Sequence, residues 1–254
     1  FPAMGSHGGA TAEGQRKILA NLGITEESVG CPIRSDMEPV LLGKVALDYP
    51  IYVDKNAMTA DHIVVVNRIK AHTKFEGPVE SGLMKMMAIG MGKQKGASYY
   101  HRAAIRLSFQ KIVENVGLEV MKRCPVLFGL AMVENAFHET CVIRAIKPEN
   151  ILEDEKMLLQ IAKQRMAKLP FEEIDILIVD QIGKNISGTG MDTNVTGRNY
   201  DLLGDFTTLP RVKRVIVRDL TEETEGNANG IGLADFTTTR LVKKMDKNKT
   251  WMNA

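Results

Sequence analysis

The chain has 254 residues, of which 44% are apolar and 25% charged, with a formal net charge of +2. That composition supports a sizeable core without disulfide or metal staples. It shows neither the basic stripe of a nucleic-acid binder nor the ~20-residue apolar stretch of a membrane span. Cys31, Cys124 and Cys141 form no CxxC pair and read as buried, reduced thiols of a cytoplasmic protein.

Phe1 to Gly9 reads as the end of a strand running into a glycine-rich turn, as if residues preceded it. The Met4-Gly5-Ser6-His7 string also resembles an expression tag, although a helix follows with no linker. Thr11 caps that helix, which runs to about Leu22 and stops at Gly23. Val45 to Val53 reads as a strand or two. Ile63 to Asn67 is a short apolar run of the kind buried on both faces. Ser81 to Gly92 is helical in part, and Tyr99 to Val116 is an amphipathic helix. Val126 to Val133 and Cys141 to Ile146 are strands. Glu153 to Leu169 is a helix that Pro170 ends. Ile174 to Val179 and Val212 to Asp219 are two more buried strands. Strands alternating with helices predict an α/β fold. The expected organisation is two α/β domains, residues 1–148 and 149–254, with a cofactor and substrate cleft between them.

Four stretches after predicted strands carry chemistry. In Gly5-Ser6-His7-Gly8-Gly9 the glycines let backbone approach a ligand, and the following helix turns its amides toward an anion. Gly-Ser clusters are also common turns, but His7 has no packing task there. Asn67-Arg68-Ile69-Lys70-Ala71-His72-Thr73-Lys74 gathers cations and an imidazole at a strand end, which suits an anionic substrate or a proton transfer, or else a solvated loop. Lys85 stands in an apolar stretch. It is either a snorkelling lysine or one whose pKa desolvation lowers toward nucleophilic use. His101 lies near a helix start, where a histidine is either structural or a ligand. His62 and His138 look ordinary, and no HExxH motif is present.

In order and spacing these stretches resemble the nickel-pincer lactate racemase family. His7 and His72 match its two histidines, 65 residues apart (72 − 7). Lys85 matches the lysine that bonds the cofactor, and His101 the nickel ligand 16 residues later (101 − 85). The resemblance runs from Met4 to about Met252. It lacks the family's first strands and last elements, as a truncated chain would. One departure is the segment Glu76 to Met84, which is longer than in the family's racemases and has no arginine.

The resemblance implies an isomerase: a racemase or epimerase of a 2-hydroxy acid or sugar acid. It implies a nickel-pincer nucleotide, a pyridinium mononucleotide bearing two sulfur donors, attached at Lys85 with nickel completed by His101 in a square-planar soft site. His7 and His72 would act as bases on the two faces of the substrate, and Lys184 would meet its carboxylate. Gly8, Gly9, Arg68 and Lys70 would contact the cofactor. A dehydratase or oxidoreductase of the same fold, or a non-catalytic binder of an anionic metabolite, are the alternatives. The Gly- and Asn-rich Thr221 to Phe236 either lines the cleft or is a long turn.

Overall fold

A computed structural model describes residues 1–44, 49–104, 107–198 and 209–251. The chain forms two compact units, residues 1–70 with 77–166, and residues 71–76 with 167–254.

The first unit opens on a glycine turn and helix α1 (Ala12–Asn21), followed by the short α2 (Glu26–Val29). Strands β1 (Pro39–Lys44) and β2 (Pro50–Asp54) pair antiparallel, and Asp54 caps the short α3 (Lys55–Met58). The expected strand at Val45 begins in residues outside the described ones, and Val53 falls in β2. Strand β3 (Ile63–Arg68) leads through α4 (Leu83–Lys85), a wide turn at Met86–Gly90, α5 (Lys93–Ala103) and α6 (Phe109–Arg123) to β4 (Val126–Glu134). β4 runs parallel to β3, the pairing a helical crossover produces. β5 (Thr140–Ile146) returns antiparallel on β4, and α7 (Ile151–Arg165) closes the unit.

The core follows from spacing. α6 buries Ile112, Val113, Val116 and Val120, one face at helical period. α7 buries Ile151, Leu158, Leu159 and Ala162 in the same core. This moves the expected domain boundary: a split at 148 would strip α7 from the core it covers, and the units part after Met166 instead. The helix expected over Tyr99 to Val116 is two helices, because Ser108 leaves helical geometry (ψ 128°) and opens α6. β3 is buried on one face, not two: Ile63 and Val65 are 3% exposed, Val64 and Val66 42% and 47%. Of the cysteines only Cys124 is buried; Cys31 and Cys141 are exposed, and all three are unpaired thiols.

The second unit holds a parallel sheet of β6 (Glu173–Ile182), β7 (Arg211–Leu220) and β8 (Phe236–Thr237). The short helices α8 (Thr193–Thr196), α9 (Thr239–Lys244) and α10 (Lys247–Trp251) accompany it. Val215, Val217, Ile182 and Leu241 form its core. β6 too is half solvated, with Ile176 and Ile178 each 59% exposed. Parallel strands linked by helices in both units make the architecture α/β. Among the described residues no helix is long and apolar enough to cross a membrane.

Candidate functional site

Lys85 ends α4, a single turn whose start is fixed by a buried carboxylate. Glu155 of α7 accepts the Met84 N–H at 2.9 Å and also bonds the Leu83 amide. Glycine before α4 leaves room for that carboxylate: a Cβ on Gly82 would lie 2.3 Å from Glu155 Oε1 and displace it. Lys85 itself is partly buried beside the fully buried Met84 and Met87. Desolvation first, and the charge of Lys70 second, push its ammonium down to about 8. At pH 7.5 about a quarter of such a lysine is neutral amine, against roughly a thousandth of an ordinary one. Lys70 comes near because its backbone pairs with that of Ser81 in both directions, at 2.8 and 3.2 Å.

His101 lies exposed near the end of α5 and stacks on Phe109 at 4.9 Å and 20°. The buried Tyr100 beside it fixes the helix on β2. Its hydroxyl donates to Pro50 O at 3.0 Å and accepts from the Tyr52 N–H at 3.2 Å. His7 is exposed at the head of three successive left-handed residues, Gly8, Gly9 and Ala10 (φ 65°, 65° and 55°). Gly8 has a packing reason besides, since a Cβ there would come within 2.3 Å of the Gly14 backbone. Thr11 caps α1 by accepting from Gly14 N–H, as expected. Of the predicted site residues, His7, Gly8, Gly9, Arg68, Lys70, Lys85 and His101 therefore share the first unit. Arg68 is engaged there, its guanidinium bonding both Glu134 oxygens at 2.8 and 3.0 Å.

His72 and Lys184 belong to the second unit. The carbonyls of His72 and Thr73 accept from Asn194 and Thr193 of α8, at 3.1 and 2.7 Å. The His72 ring packs on Phe75 at 4.3 Å, and its Nδ1 accepts the Lys74 N–H at 3.0 Å. A neutral imidazole so held carries its proton on Nε2. Lys184 follows β6, and burial followed by the charge of Lys74 lowers its ammonium below the usual lysine range. Its amide donates to Thr224 Oγ1 at 3.2 Å. That bond is one of several knitting Gly183–Gly190 to Thr221–Gly230. A Cβ on Gly190 would meet Asn229 O at 2.0 Å, and one on Gly230 would meet Thr189 O at 1.7 Å. The Gly and Asn density of these stretches thus serves backbone-to-backbone packing at the C-terminal ends of β6 and β7.

Sequence reading missed Glu155, Tyr100 and Lys93, all buried and polar. Among the described residues no three His, Cys, Asp or Glu side chains gather as a metal cage. Two open cavities, about 510 Å³ by Pro170, Asn194 and Pro210 and about 600 Å³ by Met37, Lys95 and Arg102, are not lined by His7, Lys85 or His101.

The first unit thus presents a desolvated lysine and a histidine on successive helices of an α/β chain. Residues 1–111 match the lactate racemase N-terminal domain. Over that segment, less than half of its length, the chain is similar to that family. A similar solved structure is the lactate racemase apoprotein from Thermoanaerobacterium thermosaccharolyticum, with 13% identity and a TM-score of 0.45 over 80% of this chain. The chain spans 61% of that relative's length. No curated protein sequence matches it.

Proposed function

We propose that this chain carries the cofactor of a racemase or epimerase acting on 2-hydroxy acids or sugar acids. The observation that carries the reading is Lys85: a lysine held on one short turn, desolvated, and neutral enough near pH 8 to form an amide. The donor set fits a nickel-pincer nucleotide. Lys85 would hold its ring and the exposed imidazole of His101 would supply one soft-site donor, so no cage of protein ligands is required. When bound, that group supplies a hydride acceptor and donor.

The chain's own residues supply position and protons. Lys70, with the Gly8 and Gly9 backbone, would meet the cofactor's anionic groups; Arg68 is left out because Glu134 holds it. Lys184 would meet the substrate carboxylate. His7 and His72 would serve the substrate hydroxyl, and they start from different states. His7 is an exposed imidazole. His72 offers Nε2–H as a hydrogen-bond donor; to accept a proton at Nε2 the ring must be the Nδ1–H tautomer, which gives up the bond from the Lys74 amide.

The test is enantiomer interconversion by cofactor-loaded protein across a panel of D- and L-2-hydroxy acids. The reading expects interconversion of at least one acid, lost in His7→Ala and His72→Ala while acid binding persists. Full activity in both variants overturns the paired-histidine assignment. Loaded protein that binds acids and converts none, or releases keto acid, points to a binder or an oxidoreductase instead.

A further inference from the structure

Lys93 opens α5 and is fully buried, with left-handed backbone at φ 55°. A non-glycine residue holds that conformation only where its surroundings over-determine it. Here the side chain does so. Its Nζ reaches Pro2 O at 2.6 Å, Asp54 Oδ2 at 2.8 Å and Gln15 Oε1 at 3.4 Å. Asp54 and Gln15 are also fully buried. Gln15 in turn directs Nε2 at the carbonyls of Met4, Gly5 and His7, at 3.0, 3.4 and 3.5 Å. A continuous polar chain thus runs from the end of β2, through the head of the His101 helix, to the backbone of the His7 segment.

The same segment lies directly on the turn before α5. A Cβ on Gly90 would come within 2.5 Å of Ala3 O, and one on Gly5 within 3.0 Å of Ala97 Cβ. Packing alone has no use for a buried ammonium, since a methionine fills similar volume without desolvation. What lysine adds is direction: its ammonium donates to Pro2 O and Gln15 Oε1 and pairs with the Asp54 carboxylate, on three separate segments. We infer that Lys93, Asp54 and Gln15 are positioning residues that set the backbone of His7 against the helix carrying His101. They act through the main chain. The inference rests on the proposed racemase reading for its catalytic meaning, but the placement of the segment is readable without turnover.

The experiment is hydrogen exchange on the full chain, comparing wild type with Gln15→Glu, Gln15→Leu and Lys93→Met. Gln15→Glu keeps an acceptor for Lys93 but sets a carboxylate oxygen against the Met4 and Gly5 carbonyls. The expected result is exchange about tenfold faster over residues 3–10 in each variant, with β3 and β4 unchanged. In cofactor-loaded protein, Gln15→Glu should lower kcat and leave KM in place. Unchanged exchange over residues 3–10 overturns the inference. So does faster exchange spread equally over β3 and β4, or an opened segment with unchanged kcat. A loaded wild type without turnover sinks the racemase reading instead, and exchange alone then decides the placement. Should Lys93→Met fail to fold, the two Gln15 variants carry the test.

Discussion

Replacing Glu155 by glutamine should flatten part of the pH dependence of stability. Glu155 is 1% exposed, and its Oε1 has no partner in the structure. Desolvation pushes its carboxyl from 4.5 up to about 7, against the two amide bonds that pull it down. In the unfolded chain the same carboxyl ionises near its ordinary value. Between pH 4.5 and 7 the folded state therefore holds a proton that the unfolded state has lost. Stability falls by about 1.4 kcal/mol per pH unit across that window, or about 3 kcal/mol in all, and is level above it. Glutamine stays neutral throughout. Its oxygen still accepts from the Leu83 and Met84 amides, while its NH₂ occupies the partnerless position at a cost of about 1 kcal/mol or more. Urea unfolding of both proteins at pH 5, 6, 7 and 8 measures the effect. Relative to wild type, Glu155→Gln should gain about 3 kcal/mol from the acid end to the alkaline end. Carboxylates held low, such as Asp219 and Asp235, act below this window and cancel between the two proteins. Parallel stability curves would instead place solvent at Glu155, with its carboxyl ionising near the ordinary value in the folded state.

Three further expectations follow from the same geometry. Lys85 should react with an acylating reagent with a midpoint near pH 8, and Lys70→Met should raise that midpoint by removing the neighbouring positive charge; an unmoved midpoint would leave burial as the whole cause. Lys93→Met strands the Asp54 carboxylate in the core and should cost about 3–5 kcal/mol in urea unfolding, part of it recovered in the double variant with Asp54→Asn. ¹⁵N NMR should find neutral His72 protonated at Nε2, and a Nδ1–H ring would show that the Lys74 contact is not made.

The strands were legible because β-branched runs such as Ile63–Val66 and Val215–Val217 favour them and little else competes. Whether one or both faces were covered was not legible, since a continuous apolar run has no alternation to read, and β3 and β6 came out half solvated. The domain boundary failed for a related reason. Pro148 looks like a break, but the face of α7 that decides its allegiance is set by contacts with Leu83 and Met84 far away in sequence. The candidate site was readable only as an ordered set, His7, His72, Lys85 and His101, and each member alone had an ordinary reading. Glu155 hides within an acidic first turn, Glu153-Asp154-Glu155, and Lys93 looks like a solvated helix start beside Gln94 and Lys95. Local pattern carries no signal for either, because their partners lie from 39 (93 − 54) to 91 residues away.

Under the proposed function, Lys85 is the covalent seat of a nickel-bearing nucleotide. Intact mass and metal analysis of the protein, made in a host that also synthesises the pincer cofactor, test it most directly. The expected result is a mass increment that peptide mapping places on Lys85, about one nickel per chain, and loss of both in Lys85→Ala. An unmodified Lys85 and no nickel under those conditions would contradict it.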